Sequence, residues 1–89
     1  KRYRVVFTGQ VQGVGFRWVM MNKVSAYGIT GWVRNCYNGN VECELQGDPD
    51  AVVRLINDMR TANRWIYVDD YIIKEIPLEE HEYNFDVRY

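Results

Sequence analysis

The sequence is poor in the residues that build metal and redox sites. It has one histidine and two cysteines among its 89 residues, and it contains no Cys-x-x-Cys motif. Because a structural zinc ion takes four nitrogen or sulfur ligands, we expect no metal site. Cys36 and Cys43 are expected to be free thiols, as is usual in a reducing cytoplasm. His81 lies in an acidic stretch and is expected to be exposed and inert.

Long apolar runs and a strong net charge are also missing. No run approaches the ~18 apolar residues that a membrane span requires, and no signal-peptide pattern is present. We therefore expect a cytoplasmic protein without a membrane partner. A formal net charge of −1 argues against nucleic acid as the main partner. Hydrophobic residues make up 47% of the chain, so the sequence predicts one packed domain covering residues 1–89.

The hydrophobic periodicity alternates between that of strands and that of helices. Residues 2–12 alternate as a half-buried strand, and a helical period runs from Phe16 to a stop at Gly28. Two further strands, 29–35 and 41–46, flank the turn Asn38-Gly39, and Asp48-Pro49 begins a second helix. Strands over 68–76 and, as a short edge strand, over 83–89 complete the chain. This β-α-β-β-α-β order predicts an α+β, ferredoxin-like fold with two helices on one face of a mostly antiparallel sheet.

The alternation within the predicted strands also bears on the positions of individual side chains. Arg2 falls on the polar face of the first strand, opposite the apolar face that carries Tyr3, Val5 and Phe7. A two-residue turn at Asn38-Gly39 would place Cys36 opposite Val41 and Cys43 opposite Arg34, so that a disulfide between the two cysteines is awkward. Arg34 is expected to be a solvated charge.

A glycine-rich run joins the first strand to the first helix, and it reads Gly9-Gln10-Val11-Gln12-Gly13-Val14-Gly15-Phe16-Arg17. Glycines let backbone N–H groups turn inward, and a helix N-terminus carries partial positive charge. Both features favour a bound anion, and Arg17 can grip a phosphate through two donors. The run is no Walker A motif, because no Gly-Lys-Ser/Thr follows it.

The predicted topology places an asparagine near this loop. A right-handed crossover makes the first two strands parallel, with the third strand between them. Their carboxyl ends therefore lie at one edge of the sheet, about 10 Å apart at two strand spacings. Asn35 ends the second strand and can orient a water molecule, because its amide both donates and accepts hydrogen bonds.

Three motifs in this order resemble the acylphosphatases, and the resemblance extends over essentially the whole chain. They are the run 9–17 above, then Gly31-Trp32-Val33-Arg34-Asn35-x-x-Asn38-Gly39-x-Val41-Glu42, and finally Phe85-x-Val87-Arg88-Tyr89. The residues directly after Arg17 and the stretch 64–67 depart from the family pattern, which bears on substrate preference more than on the reaction.

The resemblance implies an enzyme that hydrolyses the carboxyl–phosphate anhydride of a small acyl phosphate, without metal or cofactor. It implies catalytic roles for two side chains, with Arg17 holding the phosphate and Asn35 positioning the attacking water. The amides of the loop would bind the phosphate, at Gln12, Gly13, Val14, Gly15, Phe16 and Arg17. A monomer is expected.

Two alternatives from other functional classes remain open at this point. One is a catalytically silent module that binds an anion or carbamoyl phosphate, as in similar domains at the front of larger hydrogenase-maturation proteins. The end of the chain directly after the closing motif makes us expect no such larger body. The other is an RNA-binding sheet of the same element order. It is disfavoured because the third strand, Val41-Glu42-Cys43-Glu44-Leu45, is acidic and lacks the Lys/Arg-Gly-Phe/Tyr signature.

Overall fold

The computed structural model describes all residues, 1–89, as a five-stranded sheet with two α-helices. The strands are β1 (Arg2–Gln10), β2 (Thr30–Asn35), β3 (Val41–Gln46), β4 (Tyr67–Ile76) and β5 (Phe85–Arg88), and the helices are α1 (Phe16–Val24) and α2 (Pro49–Arg60). In space the strands lie in the order β4-β1-β3-β2-β5. All neighbours are antiparallel except β2 and β5, which are parallel. The predicted ferredoxin-like fold is confirmed.

The hydrophobic core lies between one face of the sheet and the two helices, which contact each other. Val5 and Phe7 of β1 are fully buried, and the Phe7 ring lies 5.0 Å from that of Phe16, between ring centroids. From α1, Met20 and Val24 follow Phe16 into the core at helical spacing. The buried residues of α2 are Val52, Leu55, Ile56 and Met59.

Both helices have the ends that the sequence predicts. A 3-10 turn (Ser25–Tyr27) follows α1, and Gly28 ends it in the left-handed conformation with φ of 64°. Asp48 caps α2 by accepting a hydrogen bond at Oδ1 from the Asp50 N–H at 2.9 Å, and Pro49 occupies the first turn. Neither helix is long and apolar enough to cross a membrane.

The first strand ends at Gln10, two residues before the end of its alternating pattern. Its pairing with β4 shifts register between Thr8 and Gly9. A Cβ atom at Gly9 would lie 2.4 Å from the Tyr67 carbonyl oxygen, so only glycine permits this close approach of the two strands. The Val11 side chain remains buried although its backbone has left the sheet. Alternation therefore marks side-chain burial beyond the point where strand pairing stops.

The predicted register of the β2–β3 hairpin is wrong by one residue. Cys36 bonds to Asn40 through its N–H and to Gly39 through its carbonyl, and only Gly39 in this turn has positive φ, at 93°. The loop is thus a three-residue type I turn with a glycine bulge and not a two-residue turn. Val41 consequently faces Asn35, and Cys43 faces Val33. Both cysteines are free, as expected.

Arg2, on the polar face of β1, is buried, with a relative exposure of 2%. Its Nε donates to Glu44 at 2.9 Å, and its Nη1 donates to Glu82 at 2.8 Å. Burial lowers the pKa of Arg2, but the hydrogen bonds and charges of the two glutamates outweigh burial and raise it above its ordinary value. Alternation places a side chain on a face of the sheet, but it does not reveal that the 77–82 segment crosses this face and covers Arg2.

Candidate functional site

The loop between β1 and α1 presents a row of unpartnered backbone amides. Gly13 and Gly15 adopt positive φ, at 72° and 81°, and a Cβ atom on either glycine would meet nothing within 4 Å. The N–H groups of residues 12–17 donate to no acceptor in the protein. Gly15 stands at the N-cap of α1 without a side-chain cap, so the first-turn amides of the helix are also left available. Such a helix start favours an anion.

A cavity of about 520 Å³ opens beside this loop. It lies between the loop, the exposed side of α1 and the ends of β2 and β5. Its lining residues are Val11, Gly13, Gly15, Phe16, Arg17, Trp18, Met21, Asn35, Asp86, Val87 and Tyr89. Arg17 is the only basic residue among them. The cavity therefore combines one guanidinium, one carboxamide and a glycine loop with an apolar wall.

Arg17 is held by the last residues of the chain. Its Nη1 donates to the backbone carbonyl of Arg88 at 3.3 Å. Its guanidinium carbon also lies 4.9 Å from the centre of the Tyr89 ring, within the range of a cation–π contact. Because one nitrogen and one face of the guanidinium are used in this way, the side chain has a fixed direction and retains further N–H donors for a ligand.

Asn35 is the last residue of β2 and is half-buried. It lies on the helix side of the sheet, in the same alternation as Val33, and its backbone pairs with Val41. It lines the main cavity together with Arg17, and it also lines a neighbouring cavity with Gln12 and Tyr89. The topology therefore brings the carboxamide and the guanidinium to the same edge of the sheet.

Two of the predicted loop residues do not line the main cavity. The Gln12 amide Nε2 donates to the carbonyls of Cys36 and Asn40, both at 2.7 Å, and so ties the loop to the β2–β3 turn. The Val14 side chain packs against the hydrophobic core, and its carbonyl accepts from Asn63 Nδ2 at 3.3 Å. The side chains of these two residues fix the loop in place, and only their backbone amides are available to a ligand.

Arg34, next to Asn35, is exposed to solvent as expected, and its guanidinium is also ion-paired. Its Nε donates to Glu42 Oε1 at 2.7 Å, and Arg4 Nε donates to Oε2 of the same carboxylate at 2.6 Å. Burial raises the pKa of Glu42, but the hydrogen bonds and charges of the two arginines more than offset this effect and hold the pKa below its ordinary value. Glu42 is opposite Arg34 because of the shifted hairpin register.

No group of three or more His, Cys, Asp or Glu side chains lies close enough together to hold a metal ion. Cys43 is fully buried in the core, and burial raises the pKa of its thiol. It is therefore unsuited to act as a nucleophile. His81 is exposed, as expected, and its ring Nδ1 lies 3.3 Å from the Tyr83 hydroxyl.

Comparison with known proteins identifies the family of the whole chain. A family model described as acylphosphatase matches residues 3–87. The chain belongs to the acylphosphatase family. An acylphosphatase of Bifidobacterium longum is 41% identical over 98% of this chain and 91% of the relative, and one of Clostridium acetobutylicum is 36% identical over 100% and 98%. The crystal structure of an acylphosphatase from Bacillus subtilis superposes with a TM-score of 0.90 at 28% identity, covering 99% of this chain and 98% of that one. The expectation of an enzyme of this family is confirmed.

The sequence analysis gave no individual role to four residues that this chain of the acylphosphatase family places in the cavity, namely Met21, Asp86, Val87 and Tyr89, and it noted Trp18 only as a departure from the family pattern. Trp18 and Met21 lie outside the buried stripe of α1, and their large apolar side chains are 70% and 47% exposed. A large apolar side chain on the polar side of a helix is the signal that could have identified them. Val87 and Tyr89 belong to the closing motif, but their position depends on β5 pairing with β2, which periodicity does not reveal.

Proposed function

We propose that this protein hydrolyses the carboxyl–phosphate anhydride of acyl phosphates to a carboxylate and inorganic phosphate, without a metal ion. In this proposal the amides of loop 12–17 and the guanidinium of Arg17 bind the phosphoryl group, and Asn35 positions the attacking water. The observation that carries the proposal is a single cavity lined by the glycine loop, Arg17 and Asn35, next to amides that have no partner in the protein.

The chemistry of the leaving group explains how so few functional groups suffice. The carboxylic acid that corresponds to the leaving group has a pKa near ~4, so the carboxylate departs at neutral pH without a general acid. Phosphoryl transfer then depends mainly on positioning the reactants and on neutralising the equatorial oxygens. The loop amides and Arg17 supply donors for those oxygens.

The proton balance requires no strong base in the cavity. The water oxygen forms the new bond to phosphorus, while the bond from phosphorus to the acyl oxygen breaks and its electron pair leaves with the carboxylate. Asn35 accepts a hydrogen bond from the water and orients it, but an amide does not take the proton. The proton is transferred late to an oxygen of the phosphoryl group, which becomes inorganic phosphate.

The remaining expectations belong to this proposal as well. We infer that the protein acts as a monomer on a small-molecule substrate in the cytoplasm, without a nucleic-acid or membrane partner. The free cysteines support a reducing compartment, and the net charge of −1 gives no general attraction for nucleic acid.

The direct test is to incubate the protein with benzoyl phosphate in the presence of EDTA and to follow loss of the anhydride. We expect turnover well above spontaneous hydrolysis and unchanged by the chelator. Loss of turnover on chelation would contradict the metal-independent mechanism. Tight binding of inorganic phosphate without any turnover would contradict the enzymatic function and would identify a silent anion-binding module.

A further inference from the structure

The cavity is larger than the phosphoryl group needs, and its additional wall is apolar. Its volume of about 520 Å³ lies within the ~300–1,000 Å³ at which proteins bind whole organic ligands. Trp18 and Met21 line it while being 70% and 47% exposed, so neither contributes its full side chain to the core. Large apolar side chains that remain exposed on the wall of a cavity gain free energy when a ligand covers them.

The direction of the cavity follows from the register of the strands and the course of α1. Arg17 is in the first turn of α1, and Met21 is four residues later, about 6 Å farther along the helix axis. Val87 of β5 pairs with Val33 of β2. Val33 is two residues before Asn35, so this pair lies about 7 Å back from the end of β2. The cavity therefore runs from Asn35 and the glycine loop at the edge of the sheet inward, between α1 and β5.

The geometry of phosphoryl transfer connects this direction with the substrate. Attacking and leaving oxygens lie roughly in line on opposite sides of phosphorus. If Asn35 holds the water, the acyl oxygen leaves on the side away from Asn35, and there the cavity continues towards Met21 and Val87. The charges agree with an uncharged occupant, because Arg17 is the only basic residue of the lining and Asp86 is the only other charged one.

We propose that Trp18 and Met21, with Val87 opposite them, form an acyl-group subsite that selects apolar, preferably aromatic, acyl phosphates over small or doubly anionic ones. This inference rests on the proposed function, since it assigns the part of the substrate that leaves. A flat acyl group would lie against the Trp18 indole, and a second anionic group would find no cation in the cavity to pair with.

The test compares kcat/KM for benzoyl, acetyl and succinyl phosphate in the wild type and in Trp18→Ala, Met21→Ala and the double variant. Covering about 55 Å² of apolar surface corresponds to about a tenfold change in binding. We expect the ratio of benzoyl to acetyl phosphate to fall about fivefold in Trp18→Ala and about tenfold in the double variant. Because the ratios are compared between variants, the intrinsic reactivities of the substrates cancel.

Trp65→Ala is the matched control, because Trp65 is 53% exposed and does not line the cavity. We expect the ratio of kcat/KM for benzoyl to that for acetyl phosphate in Trp65→Ala to equal the wild-type ratio. The acyl subsite would be overturned if the ratio were unchanged in the double variant, or if the wild type had a higher kcat/KM for succinyl than for benzoyl phosphate. In either case, hydrolysis of acetyl phosphate would still support the proposed function. If the wild type hydrolysed none of the three substrates, the proposed function itself would fail.

Discussion

Arg17 and Tyr89 are 72 positions apart in sequence, and the Tyr89 ring centre lies 4.9 Å from the Arg17 guanidinium. The carbonyl of the preceding residue, Arg88, accepts a hydrogen bond from the same guanidinium at 3.3 Å. The side chain proposed to bind phosphate is thus oriented by the last strand of the fold. The direction of the Arg17 side chain therefore depends on the position of the last two residues of the chain.

Replacing Arg17 tests the phosphate-binding role. We expect both Arg17→Ala and Arg17→Lys to lower kcat/KM by about 100-fold or more, because lysine cannot form the two parallel hydrogen bonds of a guanidinium. Steady-state kinetics with benzoyl phosphate measures the effect. Arg64→Lys, at an exposed arginine outside the cavity, is the control and should retain full activity. Wild-type activity in Arg17→Lys would show that bidentate binding is not needed.

Tyr89 is expected to act through Arg17 as a positioning residue. Loss of an exposed cation–π contact of ~0.5–1 kcal/mol should raise KM about two- to fivefold in Tyr89→Ala. Tyr89→Phe retains the aromatic ring and should restore the wild-type KM. Tyr83→Ala removes an exposed tyrosine that does not line the cavity, and it serves as the control. An equal loss in the Phe and Ala variants would assign the effect to the hydroxyl and not to the ring.

Asn35→Ala separates turnover from binding. We expect kcat to fall about 10- to 100-fold, because the water loses its orientation, while inorganic phosphate still inhibits competitively with an unchanged inhibition constant. Asn57→Ala, an exposed asparagine on α2 outside the main cavity, is the matched control. Normal turnover in Asn35→Ala, or a large loss of phosphate affinity, would show that the role assigned to Asn35 is wrong.

Gln12 links loop 12–17 to the β2–β3 turn that directly follows Asn35. In Gln12→Ala the carbonyls of Cys36 and Asn40 lose this donor, and the loop can move relative to Asn35. We expect a loss of about 1–2 kcal/mol in the free energy of unfolding together with a lower kcat. Gln10→Ala, which removes a bond to the Trp65 carbonyl outside the cavity, is expected to affect stability but not kcat. Equal kcat in the wild type and Gln12→Ala would disprove the positioning effect.

Glu42 is expected to make the stability of the fold depend on acid. Its pKa is lowered in the folded protein, so its contribution is present in full above the unfolded pKa of ~4.3 and is lost as pH falls through the lower folded value. Glu42→Gln should therefore lower Tm at pH 7, and the difference from the wild type should shrink towards pH 3. Glu80→Gln, at an exposed glutamate without an ion pair, should leave Tm unchanged. A pH-independent difference would assign the effect to packing.

The two arginines of β1 show what the alternating pattern predicts correctly and what it does not predict. Alternation correctly places Arg2 and Arg4 on the face opposite the helices, yet Arg2 is buried and Arg4 is exposed. The difference arises from the 77–82 segment, whose Glu82 closes over Arg2. A local pattern reports which way a side chain points from its own strand, but burial also depends on segments distant in sequence.

The cavity likewise has one part that local sequence patterns predict and another part that depends on tertiary contacts. The glycine run fixes a loop that leaves amides free, and the crossover rule brings that loop and Asn35 to one edge of the sheet. The apolar wall includes Trp18, which the sequence marked only as a departure from the family pattern, and Met21, Val87 and Tyr89, to which the motifs gave no individual role. Trp18 and Met21 face Val87 and Tyr89 only because β5 pairs in parallel with β2, beside α1.

By itself the sequence determined the order of the elements, the helix ends and the loop conformation, because periodicity, capping and glycine φ angles are local properties of the chain. Only the tertiary structure decided the hairpin register, the burial of Arg2, the contacts of Arg17 with the C-terminal residues and the apolar wall of the cavity. The physical reason is that each of these features depends on contacts between residues far apart in sequence, whose pairing is selected by the packing of the whole sheet.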